Sequence, residues 1–240
     1  GVDLVNSPLG SDFEIDLSDY LQPNGGIIFA NPNAPTGKAL ALEQIEWIVQ
    51  RNTDSVVIVD EAYVDFGAES AIKLCDRYPN LLVVQTFSKS RSLAALRIGF
   101  AIGHPDLIEG LQRVKNSFNS YPIDMISIKA GCAALADHDY FEATCEKIIN
   151  TRERTRDTLA KLGFKVLPSA GNFVFAEHRY IAAAELMGYL RTRGVLVRHF
   201  SRPDIANFLR ISIGTETEMD RLIATLKQHP DVVELPVTSD

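Results

Sequence analysis

Ser55-Val56-Val57-Ile58-Val59-Asp60-Glu61-Ala62-Tyr63 decides the fold: an apolar, β-branched run ends abruptly in two acids and a phenol. Short runs of the same kind recur at Gly26–Ala30, Leu81–Gln85 and Ile98–Ile102, and helix-length stretches at Leu42–Arg51 and Ala68–Tyr78 separate the first three. That alternation predicts an α/β sheet of largely parallel strands. Pro105-Asp106 then opens a helix, and the Pro122 loop leads into helical sequence through Leu162. After Gly163 the pattern changes. Phe164–Leu167, Asn172–Ala176, Val195–Arg198 and Phe208–Ile213 read as strands, with a helix near Ile181–Arg193, forming a second, smaller α+β unit. Its last helix carries a clear start signal, Thr215 with Glu218 three residues on, followed by Met219, Leu222, Ile223 and Leu226 on one face. The expected organisation is a large sheet domain over 1–125, connecting long helices over 126–162, and a small α+β domain over 163–240.

The 240 residues carry 24 Lys and Arg against 31 Asp and Glu, a net charge of −7, which disfavours a nucleic-acid binder driven by phosphate neutralisation. Hydrophobic residues at 46% and charged ones at 23% are an ordinary globular balance, enough to bury a core. No apolar run approaches the ~18 residues of a membrane span. Cys75, Cys132 and Cys145 form no CxxC pair, which predicts neither a disulfide framework nor a zinc site and points to a reducing, cytoplasmic setting. His104, His138, His178, His199 and His229 show no ligand spacing, so no metal is expected. Gly1-Val2-Asp3-Leu4-Val5 has neither an initiator Met nor the pattern of a signal peptide and reads as a cut end. In Arg152, Arg154 and Arg156, interleaved with Glu153 and Asp157, the period suits a solvated helix face.

Four segments after strands could carry chemistry. Asn31-Pro32-Asn33-Ala34-Pro35-Thr36-Gly37-Lys38 lacks the first Gly and the Ser/Thr of a phosphate-binding P-loop, so a proline-stiffened turn with Gly37 at positive φ is the better local reading. Asp60, Glu61 and Tyr63 bring two acids and a phenol to a strand end, and buried acids need a cation or they neutralise. In Thr86-Phe87-Ser88-Lys89-Ser90 a lysine stands among hydroxyls, a candidate amine nucleophile. Arg97, in Leu96-Arg97-Ile98-Gly99-Phe100, enters an apolar strand, a costly placement unless an anion meets it. A parallel sheet would bring these strand ends to one rim. Together they supply what a pyridoxal phosphate site requires: an amine for the aldehyde, an acid for the ring nitrogen, and Arg with hydroxyls for the phosphate.

With Asn119-Ser120-Tyr121-Pro122, Gly171-Asn172-Phe173, Val197-Arg198-His199-Phe200 and Phe208-Leu209-Arg210-Ile211-Ser212-Ile213-Gly214-Thr215, these motifs cover nearly the whole chain. In that order the sequence resembles the fold-type I pyridoxal-phosphate aminotransferases of the aspartate aminotransferase superfamily, most closely the histidinol-phosphate aminotransferases. The resemblance implies a PLP-binding α/β domain and a homodimer. It makes Lys89 the lysine that carries the cofactor and shuttles the proton, Asp60 the partner of the ring nitrogen, and Tyr63 a donor to the ring oxygen. Thr86, Ser88 and Arg97 would hold the cofactor phosphate, and Arg198 and Arg210 the anionic end of the substrate. Asn172 is either a substrate contact or a turn cap, and Tyr121 either reaches a site or packs. The implied reaction exchanges an amino group between L-histidinol phosphate and 2-oxoglutarate/glutamate in histidine biosynthesis. An aromatic aminotransferase of the same superfamily, or a fragment without turnover, are the alternatives. The chain departs from the family in two places. Ala34 stands where the family has an Asn before Pro-Thr-Gly, leaving Asn33 or Asn31 to substitute. The family also carries, ahead of the point matching Gly1, an aromatic that stacks on the cofactor and phosphate-binding amides, so the chain by itself is expected to be inactive.

Overall fold

A computed structural model of the chain describes residues 1–234. Its contacts group Gly1–Asn33 with Lys38–Phe141 as one unit, and Ala34–Gly37 with Glu142 onward as another.

The first unit is built on a four-stranded sheet of order β1-β2-β3-β4. β1 (Ile27–Ala30), β2 (Val57–Asp60) and β3 (Leu81–Thr86) run parallel, while β4 (Gly99–Gly103) lies antiparallel to β3 with Thr86 opposite Gly99. Helix α1 (Leu42–Arg51) joins β1 to β2 and buries Ile45, Ile48 and Val49 on one face against Val57, Val59, Leu81 and Val83. Asn52 ends α1 by donating its side-chain amide to the Ile48 carbonyl at 2.8 Å. The helix expected over Ala68–Tyr78 is only a 3-10 turn, Ala71–Leu74. Helix α2 (Pro105–Phe118) buries no residue, and α3 (Met125–Ala136) buries only Ser127 and Gly131, so Phe118, Met125 and Ile126 are exposed.

Helix α4 (His138–Lys161) leads into the second unit, whose sheet has the order β5-β6-β8-β7 and is antiparallel throughout. Its strands are β5 (Phe164–Val166), β6 (Phe173–His178), β7 (Arg198–His199) and β8 (Phe208–Ser212). Helices α5 (Ala183–Thr192) and α6 (Glu216–Lys227) pack Leu186, Leu190, Met219, Leu222 and Leu226 into a core shared with Val174, Leu209 and Ile211. Thr215 and Glu218 form the expected capping box, the Thr215 hydroxyl accepting from the Glu218 N–H and the Glu218 carboxylate accepting from the Thr215 N–H. The strand expected at Val195–Arg198 is shorter and later, pairing only at Arg198 and His199. Among the described residues no helix is long and apolar enough to cross a membrane.

Candidate functional site

In the first unit the chain crosses one rim of the sheet four times. The parallel order of β1, β2 and β3 places the residues after Ala30, Asp60 and Thr86 there. Arg97 reaches the same rim for the opposite reason. It precedes β4, and because β4 is antiparallel its first residue, not its last, stands beside Thr86. The expectation of parallel strand ends is therefore corrected at Arg97: in a parallel β4 that residue would lie at the far edge. Nor does Arg97 lie within the strand. It is exposed, in the left-handed region at φ 56°, and donates from Nη1 to the Ala94 carbonyl at 2.7 Å.

After β1, Asn31 is 1% exposed and clamps the loop, its Oδ1 accepting from the Leu40 N–H at 2.7 Å. That amide is committed to the backbone. Asn33 is half-buried, its N–H donating to the Lys38 carbonyl at 2.7 Å. Gly37 has φ 81°, a conformation that favours glycine, and a Cβ built there would in addition meet Ser169 Oγ at 2.4 Å.

The two acids at the end of β2 part company. Asp60 is exposed, with Oδ1 accepting from the Ala62 N–H at 3.0 Å. Glu61 is 1% exposed and accepts from the Ser70 hydroxyl at 2.6 Å, the Ala71 N–H at 2.6 Å and the Gln85 amide at 2.8 Å. Burial pushes its carboxyl above the ordinary range even though these three donors pull the other way. Neutral donors, rather than the expected cation, therefore hold the buried acid.

Thr86 accepts from the Ser88 N–H at 3.1 Å, turning the chain so that Lys89 leaves the strand end. Lys89 Nζ lies 5.1 Å from the centre of the Tyr63 ring. One contact absent from the sequence reading links these two loops: the buried Ser90 hydroxyl donates to Asp65 Oδ2 at 2.5 Å, joining the Lys89 turn to the 3-10 turn Val64–Phe66 that follows Tyr63. Ser90 is adjacent to the flagged lysine, but nothing local marks Asp65 as its partner. The first unit thus brings Lys89, Tyr63, Asp60, Thr86, Ser88 and Arg97 to one rim.

The second unit holds the other candidates. Arg198 on β7 and Arg210 on β8 are direct cross-strand partners. Both guanidinium groups approach the Phe200 ring, at 5.5 and 6.0 Å, and that of Arg210 also lies 5.4 Å from the Phe173 ring. Arg210 Nε is buried and has no hydrogen-bond partner among the described residues. Asn172, half-buried, accepts at its carbonyl from the Ile213 N–H at 2.9 Å, which continues the β6–β8 ladder. Tyr121 is 92% exposed.

A fold of this kind, with an amine, an acid and a phenol at the rim of a mostly parallel sheet, defines a class, and the comparisons agree on it. The family model of aminotransferase class I and II matches residues 1–226, and the chain belongs to that family. It is 57% identical over 223 residues to histidinol-phosphate aminotransferase 1 of Pseudomonas fluorescens, a match covering 93% of this chain and 64% of that protein. It is 58% identical over 219 residues to the histidinol-phosphate aminotransferase of Chromohalobacter salexigens, covering 91% and 62%. Among solved structures it matches the histidinol-phosphate aminotransferase from Sinorhizobium meliloti, solved in complex with pyridoxal-5'-phosphate. That match has a TM-score of 0.84 and 30% identity, over 93% of this chain and 63% of the other. The chain therefore spans somewhat less than two thirds of the length of these relatives.

Proposed function

We propose that the chain carries the cofactor lysine and the substrate-anion site of a pyridoxal-phosphate-dependent aminotransferase, which exchanges an amino group between L-histidinol phosphate and 2-oxoglutarate in histidine biosynthesis. The donor set at the first rim fits the cofactor: Lys89 and Asp60 stand at adjacent strand ends with Tyr63 beside the lysine. Bound there, pyridoxal phosphate would supply an aldehyde for an amine and a ring that withdraws electrons from the substrate carbon. Lys89 would hold the cofactor and move the proton, Asp60 would keep a proton on the ring nitrogen, and Tyr63 would donate to the ring oxygen. Thr86, Ser88 and Arg97 would hold the phosphate, with Asn33 at the loop that lacks the usual Asn.

The cross-strand pair Arg198–Arg210 carries the substrate assignment. Like charges placed directly opposite on neighbouring strands repel, and a buried guanidinium N–H without an acceptor costs stability. A phosphate or carboxylate between them removes both penalties, since two planar forks match either anion. Asn172, three residues before Phe175, the cross-strand partner of Arg210, would approach the substrate. The relatives named as histidinol-phosphate aminotransferases, at 57–58% identity, support the phosphate-bearing substrate.

Reduction with borohydride after supplying pyridoxal phosphate, followed by peptide mapping, should place the label on Lys89; a label on Lys38 or Lys73 overturns the assignment. Turnover by a form that includes the segment the relatives carry ahead of the point matching Gly1 should be faster with histidinol phosphate than with phenylalanine, and the reverse order would make it an aromatic aminotransferase. We further propose a cytoplasmic homodimer: among the described residues the three cysteines form no disulfide, and the exposed apolar side chains of α2 and α3 suit an interface. Sedimentation of the protein as a monomer would refute the dimer.

A further inference from the structure

Arg152 does not behave as its sequence neighbours do. Arg154 pairs with Asp220 at 2.8 Å and Arg156 with Glu153 at 2.5 Å on the open face of α4, as the solvated-face expectation had it. Arg152 is 5% exposed and points inward, a correction to that expectation. A buried cation is expensive unless its hydrogen bonds are made. Here Nε donates to Glu153 Oε1 at 2.9 Å and Nη1 donates to the Gly171 carbonyl at 2.9 Å.

That carbonyl belongs to a turn with little freedom. The Gly171 N–H donates to Ser169 Oγ at 3.1 Å, and the same hydroxyl donates to the Phe173 carbonyl at 2.6 Å. The Phe173 ring folds back over Gly171 so closely that a Cβ there would meet it at 2.9 Å. On the far side, the Gly37 carbonyl accepts from the Ala170 N–H at 2.8 Å. Phe173 is 2% exposed, and its ring is the platform that faces the Arg210 guanidinium at 5.4 Å. A guanidinium lies favourably over an aromatic face, so the ring's position sets the direction of the cation.

We propose that Arg152 is a positioning residue for anion recognition: through the Gly171 carbonyl it fixes the Ser169–Phe173 turn, and through the Phe173 ring it holds Arg210 with its Nε–H aimed at the ligand. This rests on the anion-binding role proposed above for Arg210. No atom of Arg152 need touch substrate.

The test is a titration of the chain with inorganic phosphate, read by proton–nitrogen correlation spectra of the arginine side chains. Arg210→Gln assigns the Arg210 Nε–H resonance by its loss and should abolish phosphate binding. Arg152→Lys keeps the charge but not the fork, and Phe173→Leu keeps the bulk but not the ring. Each should move the Arg210 resonance and weaken phosphate binding by about tenfold, the loss of one hydrogen bond to a charged group or one cation–π contact. If Arg210→Gln leaves phosphate affinity unchanged, the anion-site reading itself falls. If Arg210→Gln abolishes binding while Arg152→Lys and Phe173→Leu alter neither resonance nor affinity, the positioning role falls and the anion site stands. Should Arg152→Lys fail to fold, Phe173→Leu and Ser169→Ala decide the question by the same two readouts.

Discussion

In the first sheet the candidate side chains stand at the last residue of a strand, as Asp60 and Thr86 do, or in the loops just beyond, whereas in the second Arg210 stands in mid-strand, between Leu209 at 1% and Ile211 at 2% exposure. The two arrangements fail in different ways. A loop residue such as Lys89 is held by its turn, here Ser88 on Thr86 and Ser90 on Asp65, and the ladder behind it is indifferent to its identity. Arg210 is held by register. A slip of one residue would turn it into the core and expose Leu209, so the apolar packing of the second unit and the aim of its cation are one and the same.

The comparison predicts that the core of the second unit is the more sensitive. Phe175 is fully buried, stacks on Phe208 at 4.6 Å and pairs across the ladder with Arg210. Phe175→Ala should cost about 3–5 kcal/mol in urea denaturation and remove phosphate binding with it. Full binding in a protein so destabilised would separate packing from aim.

Buried titratable groups sharpen the contrast. In the first unit, Glu61→Ala should cost about 1–3 kcal/mol for each of the donors it leaves unpaired, the Ala71 N–H foremost. Because burial raises the Glu61 carboxyl above its ordinary value of 4.5, the folded state holds the proton longer than the unfolded chain. Its contribution to stability therefore falls as pH rises from that value through the folded one. Glu61→Gln should remove this slope. In the second unit His178 does the reverse. Its Nδ1 accepts from the N–H groups of Tyr180 and Ile181, so Nε2 donates to the Leu162 carbonyl at 3.1 Å, and burial holds its pKa below the ordinary 6.5. Its stability is complete above that value and is lost as pH falls through it toward the folded pKa. Denaturation midpoints measured from about pH 7.5 down to about pH 5 should fall for the parent protein and stay flatter in His178→Gln. A parent profile without that fall would mean that His178 charges without penalty.

The smallest expected effect lies at the helix starts. Thr215 caps α6 with its side chain, whereas Ala41 at the start of α1 offers no acceptor of its own. Thr215→Ala should cost about 0.5–2 kcal/mol, and Ala41→Ser should gain about 0.5–1 kcal/mol. Thermal denaturation of the two variants checks both signs.

How much of this was readable varies by element. The α6 start, the helix over Leu42–Arg51 and the three parallel strands were legible because each depends on residues within one or two turns of one another. The helix expected at Ala68–Tyr78 was not, because the Glu61 carboxylate, nine or more residues back, takes the Ser70 hydroxyl and the Ala71 N–H and leaves a short 3-10 turn. Asp60 and Glu61 are adjacent acids, yet one is exposed at the strand end and the other is buried on donors from Ser70, Ala71 and Gln85, a difference made by residues far along the chain.

The sequence by itself determined the α/β class, the glycine turn at Gly37 and the set of reactive residue types, since periodicity, turn chemistry and residue chemistry are local properties. Tertiary structure alone decided three things. The antiparallel direction of β4 brings Arg97 to the rim, the inward rotation of Arg152 commits it to Gly171, and the β7–β8 register sets Arg198 against Arg210. Each depends on which distant backbone group offers the last hydrogen-bond partner, and spacing along a chain does not record that.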